Sequence, residues 1–163
     1  MIATEPRSLP VGVPGLGPGP TLAATGGPVV STMGVEEEFL LVDRLTGAPV
    51  ARAGPVIQTA SYPLGELVQS EFYDCMIETC TRPTTDATDL RTRLRRLRAT
   101  VADAAHVSHC LLVASGTPVV PPTAPIPVTD TPCYRRMARH FSALVDGRLG
   151  IVCGGHAMYM DRG

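Results

Sequence analysis

The sequence contains no lysine and no tryptophan, and all 14 of its basic residues are arginine. Without lysine, this chain can supply neither the phosphate-gripping lysine of a P-loop nor a Schiff-base amine. Aromatic residues make up only 4% of the chain, too few for the stacking platforms that hold bases or sugars. No apolar run reaches the roughly eighteen residues that a transmembrane helix needs. Neither sign of charge dominates. The formal net charge is −1, which excludes the broad basic surface of a nucleic-acid binder. The 5 cysteines are Cys75, Cys80, Cys110, Cys133 and Cys153, an odd count with no C-x-x-C pair. A disulfide framework or zinc knuckle is therefore disfavoured. Reduced thiols in a cytoplasmic protein are the expectation.

Proline and glycine are abundant, at 16 each. They crowd the start, where Pro10, Gly12, Pro14, Gly15, Gly17, Pro18, Gly19 and Pro20 leave no period of 2 or 3.6. Residues 1–32 read as a disordered leader, with a docked extended arm as the alternative. The single Arg7 and the interrupting prolines do not make a secretory signal. The length of 163 residues with 44% hydrophobic residues suits one domain, placed at 33–163.

From Met33 the pattern orders itself. Met33–Val42 alternates as a strand, followed by turn chemistry at Asp43–Gly47. Residues 64–72 read as a short helical or extended approach. Phe72–Thr81 reads as a second strand that stops at Arg82-Pro83. Thr84, Thr85 and Asp86 offer N-cap oxygens to an amphipathic helix over 87–107. Arg91, Arg95 and Arg98 fall on one flank of that helix, as a solvated face or a phosphate patch. Cys110–Ser115 reads as a buried strand, and residues 117–132 as a loop holding six prolines. Thr131-Pro132 then caps a second helix marked by Tyr134, Met137, Phe141 and Leu144. Leu149–Met160 returns as a strand broken at Gly154-Gly155. This order of strands and helices gives an α+β or α/β arrangement.

The run Glu36-Glu37-Glu38 needs an explanation. On a strand, Glu36 and Glu38 share one face about 7 Å apart, and Glu37 faces away. Two such carboxylates on an apolar strand repel each other unless a hard cation sits beside them or the edge faces water. Glu78 lies within a second apolar strand and adds a third carboxylate. His156, with Met158 and Met160 at alternate positions, adds one imidazole. An oxygen-rich set with a single His suits Mg²⁺ or Mn²⁺ better than zinc. No H-E-x-x-H motif supports a metal-dependent hydrolase.

Five segments, in this order, carry a resemblance. GVEEEFLLVD (Gly34–Asp43), MIETCTRP (Met76–Pro83), LLVASGTP (Leu111–Pro118), PCYRRMARHF (Pro132–Phe141) and IVCGGH (Ile151–His156) resemble the glutamate–cysteine ligase type 2 family. These are the YbdK-like carboxylate–amine ligases, related to glutamine synthetase. The resemblance spans about residues 33–163 and reads as the N-terminal part of such an enzyme. It implies an α+β fold, a glutamine-synthetase-like antiparallel sheet with helices on one face, incomplete in this chain. It further implies ATP and Mg²⁺ or Mn²⁺ as cofactors, with amino-acid substrates. Under it, Glu36, Glu38 and Glu78 fall on metal positions and His156 on a metal or phosphate position. Thr81 and Arg82 fall near the substrate carboxylate. The implied reaction is ATP-dependent amide formation through an acyl phosphate. The alternative is a non-catalytic remnant or partner-dependent half that holds Mg-nucleotide weakly or not at all. Partners would then be a second copy or a complementing C-terminal chain, with no nucleic acid and no membrane.

Overall fold

The computed structural model describes residues 30–140 and 156–161. The expectations for the leader before Val30, for residues 141–155 and for Cys153 lie outside the described residues.

The sheet is organised around one long strand, β1 (Thr32–Asp43). Its alternation divides the molecule into two faces. Phe39 and Leu41 point to one side, and Leu40 and Val42 to the other. At its end Asp43 Oδ1 accepts from the amides of Leu45 and Thr46 at 2.9 and 2.8 Å. Gly47 completes the turn at φ +73°, a left-handed conformation that glycine adopts without a Cβ penalty.

The chain then forms α1 (Ala53–Leu64), a short 3₁₀ turn, β2 (Val68–Ser70) and β3 (Met76–Cys80). The helix α1 is absent from the sequence reading, because Gly54, Pro55 and Pro63 mask its apolar spacing. Residues 72–75, read as strand from their aromatic and Cys content, instead lead into the ladder that starts at Met76. The long helix α2 (Ala87–Val107) matches its expected span. Its cap is Asp86, which accepts from the amides of Thr88 and Asp89 at 2.7 and 3.4 Å. The chain turns out of α2 at His109, whose φ of +59° is left-handed. Then come β4 (Cys110–Val113), α3 (Pro132–His140) and β5 (His156–Asp161). Thr131 Oγ1 accepts from the Tyr134 amide at 3.2 Å, so the expected cap of α3 holds.

All described strand pairs are antiparallel, and the path runs β2-β3-β1-β4. β5 also pairs with β1, along the N-terminal half of the edge whose other half holds β4. One face is covered by α1 and α2. Val56 and Ala60 of α1 and Leu97 and Val101 of α2 close over Phe39, Leu41 and Ile77. A smaller cluster of Leu40, Val42, Tyr73, Cys75 and Met76 forms on the other face. The proline-rich loop lies against it through Ile126 and Val128, fastened where Asp74 N–H donates to Pro127 O at 2.9 Å. α3 stands apart from the α1–α2 layer. It reaches the rest of the fold where the Tyr134 ring meets Phe72 edge-on at 5.6 Å.

Glu37 points into the helix side of β1 and is only 2% exposed. A buried carboxylate without a counter-charge costs several kcal/mol. Arg98 of α2 answers it: Arg98 Nε lies 2.9 Å from Oε2 and 3.2 Å from Oε1, and Nη2 also reaches Oε1. One of the three arginines read as a solvated flank is thus the bolt between helix and sheet. Replacing it as Arg98→Met strands Glu37 unpaired and is expected to cost about 2–3 kcal/mol in urea unfolding. The double variant Glu37→Met/Arg98→Met should recover most of that loss. Equal losses in the single and double variants would show that the pair does not act as a unit.

Candidate functional site

The ladder between β1 and β3 settles which acids share a face. Glu38 pairs directly with Glu78, Glu36 with Cys80, and Glu37 with Thr79. Directly paired residues lie on the same side of a sheet. Glu36, Glu38 and Glu78 therefore stand together on the side away from α1 and α2, and each is half-buried. On β2, Gln69 continues the row opposite Glu78, and its Nε2 donates to Glu78 Oε2 at 3.1 Å.

Burial pushes the Glu78 carboxyl above its ordinary value of 4.5, against the Gln69 hydrogen bond, and repulsion from Glu36, Glu71 and Glu38 adds to the rise. The group thus feels three further carboxylates. One of them, Glu71, is missing from the sequence reading. It sits just past β2, where its Oε2 accepts from the Phe72 amide at 2.9 Å and from the Tyr134 hydroxyl at 3.0 Å. Burial, then Glu71, hold the Tyr134 hydroxyl well above the usual phenol range, so it stays a donor. Cys80, beside Glu36, is pushed up by burial and then by Glu78 and Glu36. It remains a neutral thiol, and the donor set on this face consists of carboxylate oxygens.

That chemistry suits a hard divalent cation. The side chains share a face and a field without forming a closed cage. Among the described residues, no three His, Cys, Asp or Glu groups are gathered closely enough to hold a metal ion. The register pairs His156 with Glu37 and Ala157 with Glu36. In the backbone ladder His156 is thus the partner of Glu37, and none of Glu36, Glu38 and Glu78 is paired with it.

Thr81 and Arg82 follow directly on β3. Thr81 is buried, its Oγ1 accepts from the Val35 amide at 2.9 Å, and its own amide donates to Val35 O at 2.9 Å. It closes the end of the ladder. Thr81 and Arg82 line a cleft of about 230 Å³ between the end of α1 and the flank of α2, shared with Arg93 and Arg96.

The comparisons with known proteins agree with the architecture. The chain resembles a bifunctional glutathione synthetase from Pasteurella multocida (TM-score 0.57, 16% identity, covering 82% of this chain and 17% of that one). It also resembles a glutamate–cysteine ligase from Francisella tularensis solved with AMP (TM-score 0.52, 16% identity, covering 82% and 27%). At that identity the likeness defines the class of fold, an α+β antiparallel sheet with helices. The family follows from sequence. Residues 32–154 match the model of glutamate-cysteine ligase family 2. The chain is 44% identical over 127 residues to "Putative glutamate--cysteine ligase 2-3" of Mycolicibacterium smegmatis, covering 77% of this chain and 33% of the relative. It is 44% identical over 133 residues to "Putative glutamate--cysteine ligase 2-1" of Nocardia farcinica, covering 80% and 34%. This chain belongs to the glutamate–cysteine ligase family 2, and it spans about a third of the length of these relatives.

The raised Glu78 makes a signed prediction. In the folded chain Glu78 binds its proton more tightly than in the unfolded chain. Ionising it as the pH climbs above 4.5 therefore costs stability, and the cost is relieved as the pH falls back through that window. In metal-free buffer, Glu78→Gln should be more stable than the parent at pH 7, with the advantage disappearing below about pH 4.5. Urea titrations at both pH values check this; a Gln variant that is less stable at pH 7 would contradict it.

Proposed function

We propose that this chain forms the acid-bearing part of an ATP-dependent carboxylate–amine ligase. It would join the carboxylate of one amino acid to the amine of another through an acyl phosphate. Support comes from a single conjunction: a chain of the glutamate–cysteine ligase family 2 that puts Glu36, Glu38 and Glu78 on one face of its sheet. The reaction must bring a carboxylate up to a triphosphate, two anions that repel. A divalent ion, Mg²⁺ or Mn²⁺, would cancel that repulsion and stabilise charge on the transferring phosphoryl group.

In this proposal Glu36, Glu38 and Glu78 converge on their shared face to hold the ion. Gln69 restrains the Glu78 carboxylate from β2. Glu71, fixed by Tyr134 and the Phe72 amide, stands by as a fourth oxygen donor. We leave His156 out of the set because its ladder partner is Glu37. We also leave out Thr81 and Arg82, which the resemblance ties to the substrate carboxylate, because the cleft they line is on the helix side. The open spacing of the acids favours a second reading, in which the chain holds Mg-nucleotide weakly or not at all.

Thermal melting separates the two. A ligand at ten times its Kd stabilises the fold by about 1.4 kcal/mol, or roughly 3 °C for a domain of this size. Mg-ATP at millimolar concentration should raise the Tm of the parent by that order. ATP with EDTA, or the variant Glu38→Gln/Glu78→Gln, should remove the rise. No shift in the folded parent would favour the second reading. ADP release with glutamate and cysteine is expected to be far slower than that of a full-length relative.

A further inference from the structure

The arginines of α2 are divided unequally between partners and solvent. Arg98 is bound to Glu37, and Arg93 is bound to Asp89 at 2.7 Å. Neither Arg82 nor Arg96 has an ion-pair or hydrogen-bond partner for its guanidinium among the described residues. Both line the cleft of about 230 Å³ with Arg93, and no acid lines it. Thr81 lines it as well, and the rest of its wall is apolar, built from Pro63, Leu64, Leu67 and Leu97. Leu64 and Leu97 are themselves core residues, so this wall is the outer surface of the packed interior.

The cleft is held open by its own struts. Arg93 Nε donates to Asp89 Oδ1 at 2.9 Å, while Nη1 donates to the carbonyl of Arg82 at 3.3 Å. Thr84 Oγ1 donates to Asp89 Oδ2 at 2.7 Å, tying the same carboxylate to the segment after β3. The backbone of that segment is pinned in turn to β1, through Thr81–Val35 and Thr84–Met33. Arg93 is therefore spent on shape, and Arg82 and Arg96 bring uncancelled positive charge to a low-dielectric wall. A cleft lined by one sign of charge on such walls concentrates its field and draws counter-charge. A guanidinium fork matches the two oxygens of a carboxylate or phosphate. A cleft volume of about 230 Å³ suits a small ligand.

We propose that the cleft between α1 and α2 is a binding site for a small oxyanion with a short apolar body, the oxyanion held by Arg82 and Arg96 and the body laid on Leu64, Leu67 and Leu97. The site lies on the helix side of the sheet, away from Glu36, Glu38 and Glu78, and does not depend on the ligase reading.

Four probes test it on the 163-residue chain. Hexanoate and phenyl phosphate carry both features, as carboxylate and as phosphate ester. Inorganic phosphate lacks the apolar body, and hexanol lacks the charge. Methyl and guanidinium NMR signals are followed through each titration. At least one of the two amphipathic anions should give saturable shifts at Leu64, Leu97 and Arg96, and the stronger one identifies the anion preferred. Inorganic phosphate and hexanol should bind at least tenfold more weakly. Arg96→Gln, at an exposed position, and Arg82→Gln should each weaken the preferred probe about tenfold while keeping the parent's melting curve. Glu78→Gln should leave the binding unchanged. The proposal is overturned if neither amphipathic anion shifts these signals. It is equally overturned if inorganic phosphate binds as tightly as they do, or if Arg96→Gln and Arg82→Gln bind like the parent.

Discussion

The ion pair of Glu37 with Arg98 is the constraint on which the arrangement of this domain depends. A strand with three consecutive glutamates must turn at least one of them inward, and the inward one needs a cation. Arg98 supplies it from α2, sixty-one positions along the chain. With Glu37 held toward the helices, the pleat of β1 leaves Glu36 and Glu38 no choice but the other face. A register slip of one residue would bury two carboxylates and expose the one that has a partner. The pair therefore chooses the face as well as joining helix to sheet.

The two faces are consequently of opposite character. Beyond Leu40 and Met76, the outward face carries Glu36, Glu38 and Glu78, with Glu71 beside them and hydrogen-bond donors from Gln69 and Tyr134. The helix side carries Arg82, Arg93, Arg96 and Arg98 around the packed core. A net charge of −1 conceals this polarity. Acidic side chains thus gather on one side of the sheet and guanidinium groups on the other. The core of Phe39, Leu41, Val56, Leu97 and Val101 keeps the two sets of charge apart.

Much of this was legible where a local period was strong. The alternation of β1 separated Glu37 from its neighbours, and the apolar spacing of α2 matched its full span. Thr131 before Pro132 marked the start of α3. What escaped depends on distant chain segments or on interrupted periods. Gly54, Pro55 and Pro63 hid α1. Arg98 looked like a solvent-facing residue because nothing near it in sequence announces Glu37. Glu71 carries no local signal in the sequence, because only the turn after β2 brings it toward Glu78. The alternation along β5 was readable, but its parity against β1 was not. That parity is set by the ladder, which pairs His156 with Glu37.

The proposed metal role rests on the pleat of β1, which gathers Glu36, Glu38 and Glu78 on one face and keeps Glu37 out of it. Mn²⁺ is a suitable probe, since its unpaired electrons broaden the NMR signals of nearby nuclei. With the glutamate side-chain carboxylates labelled by ¹³C, substoichiometric Mn²⁺ should broaden Glu36, Glu38 and Glu78 first and leave Glu37 sharp. Excess Mg²⁺ should restore the lost signals. Broadening of Glu37 together with its neighbours, or no selective broadening among the four, would contradict the account.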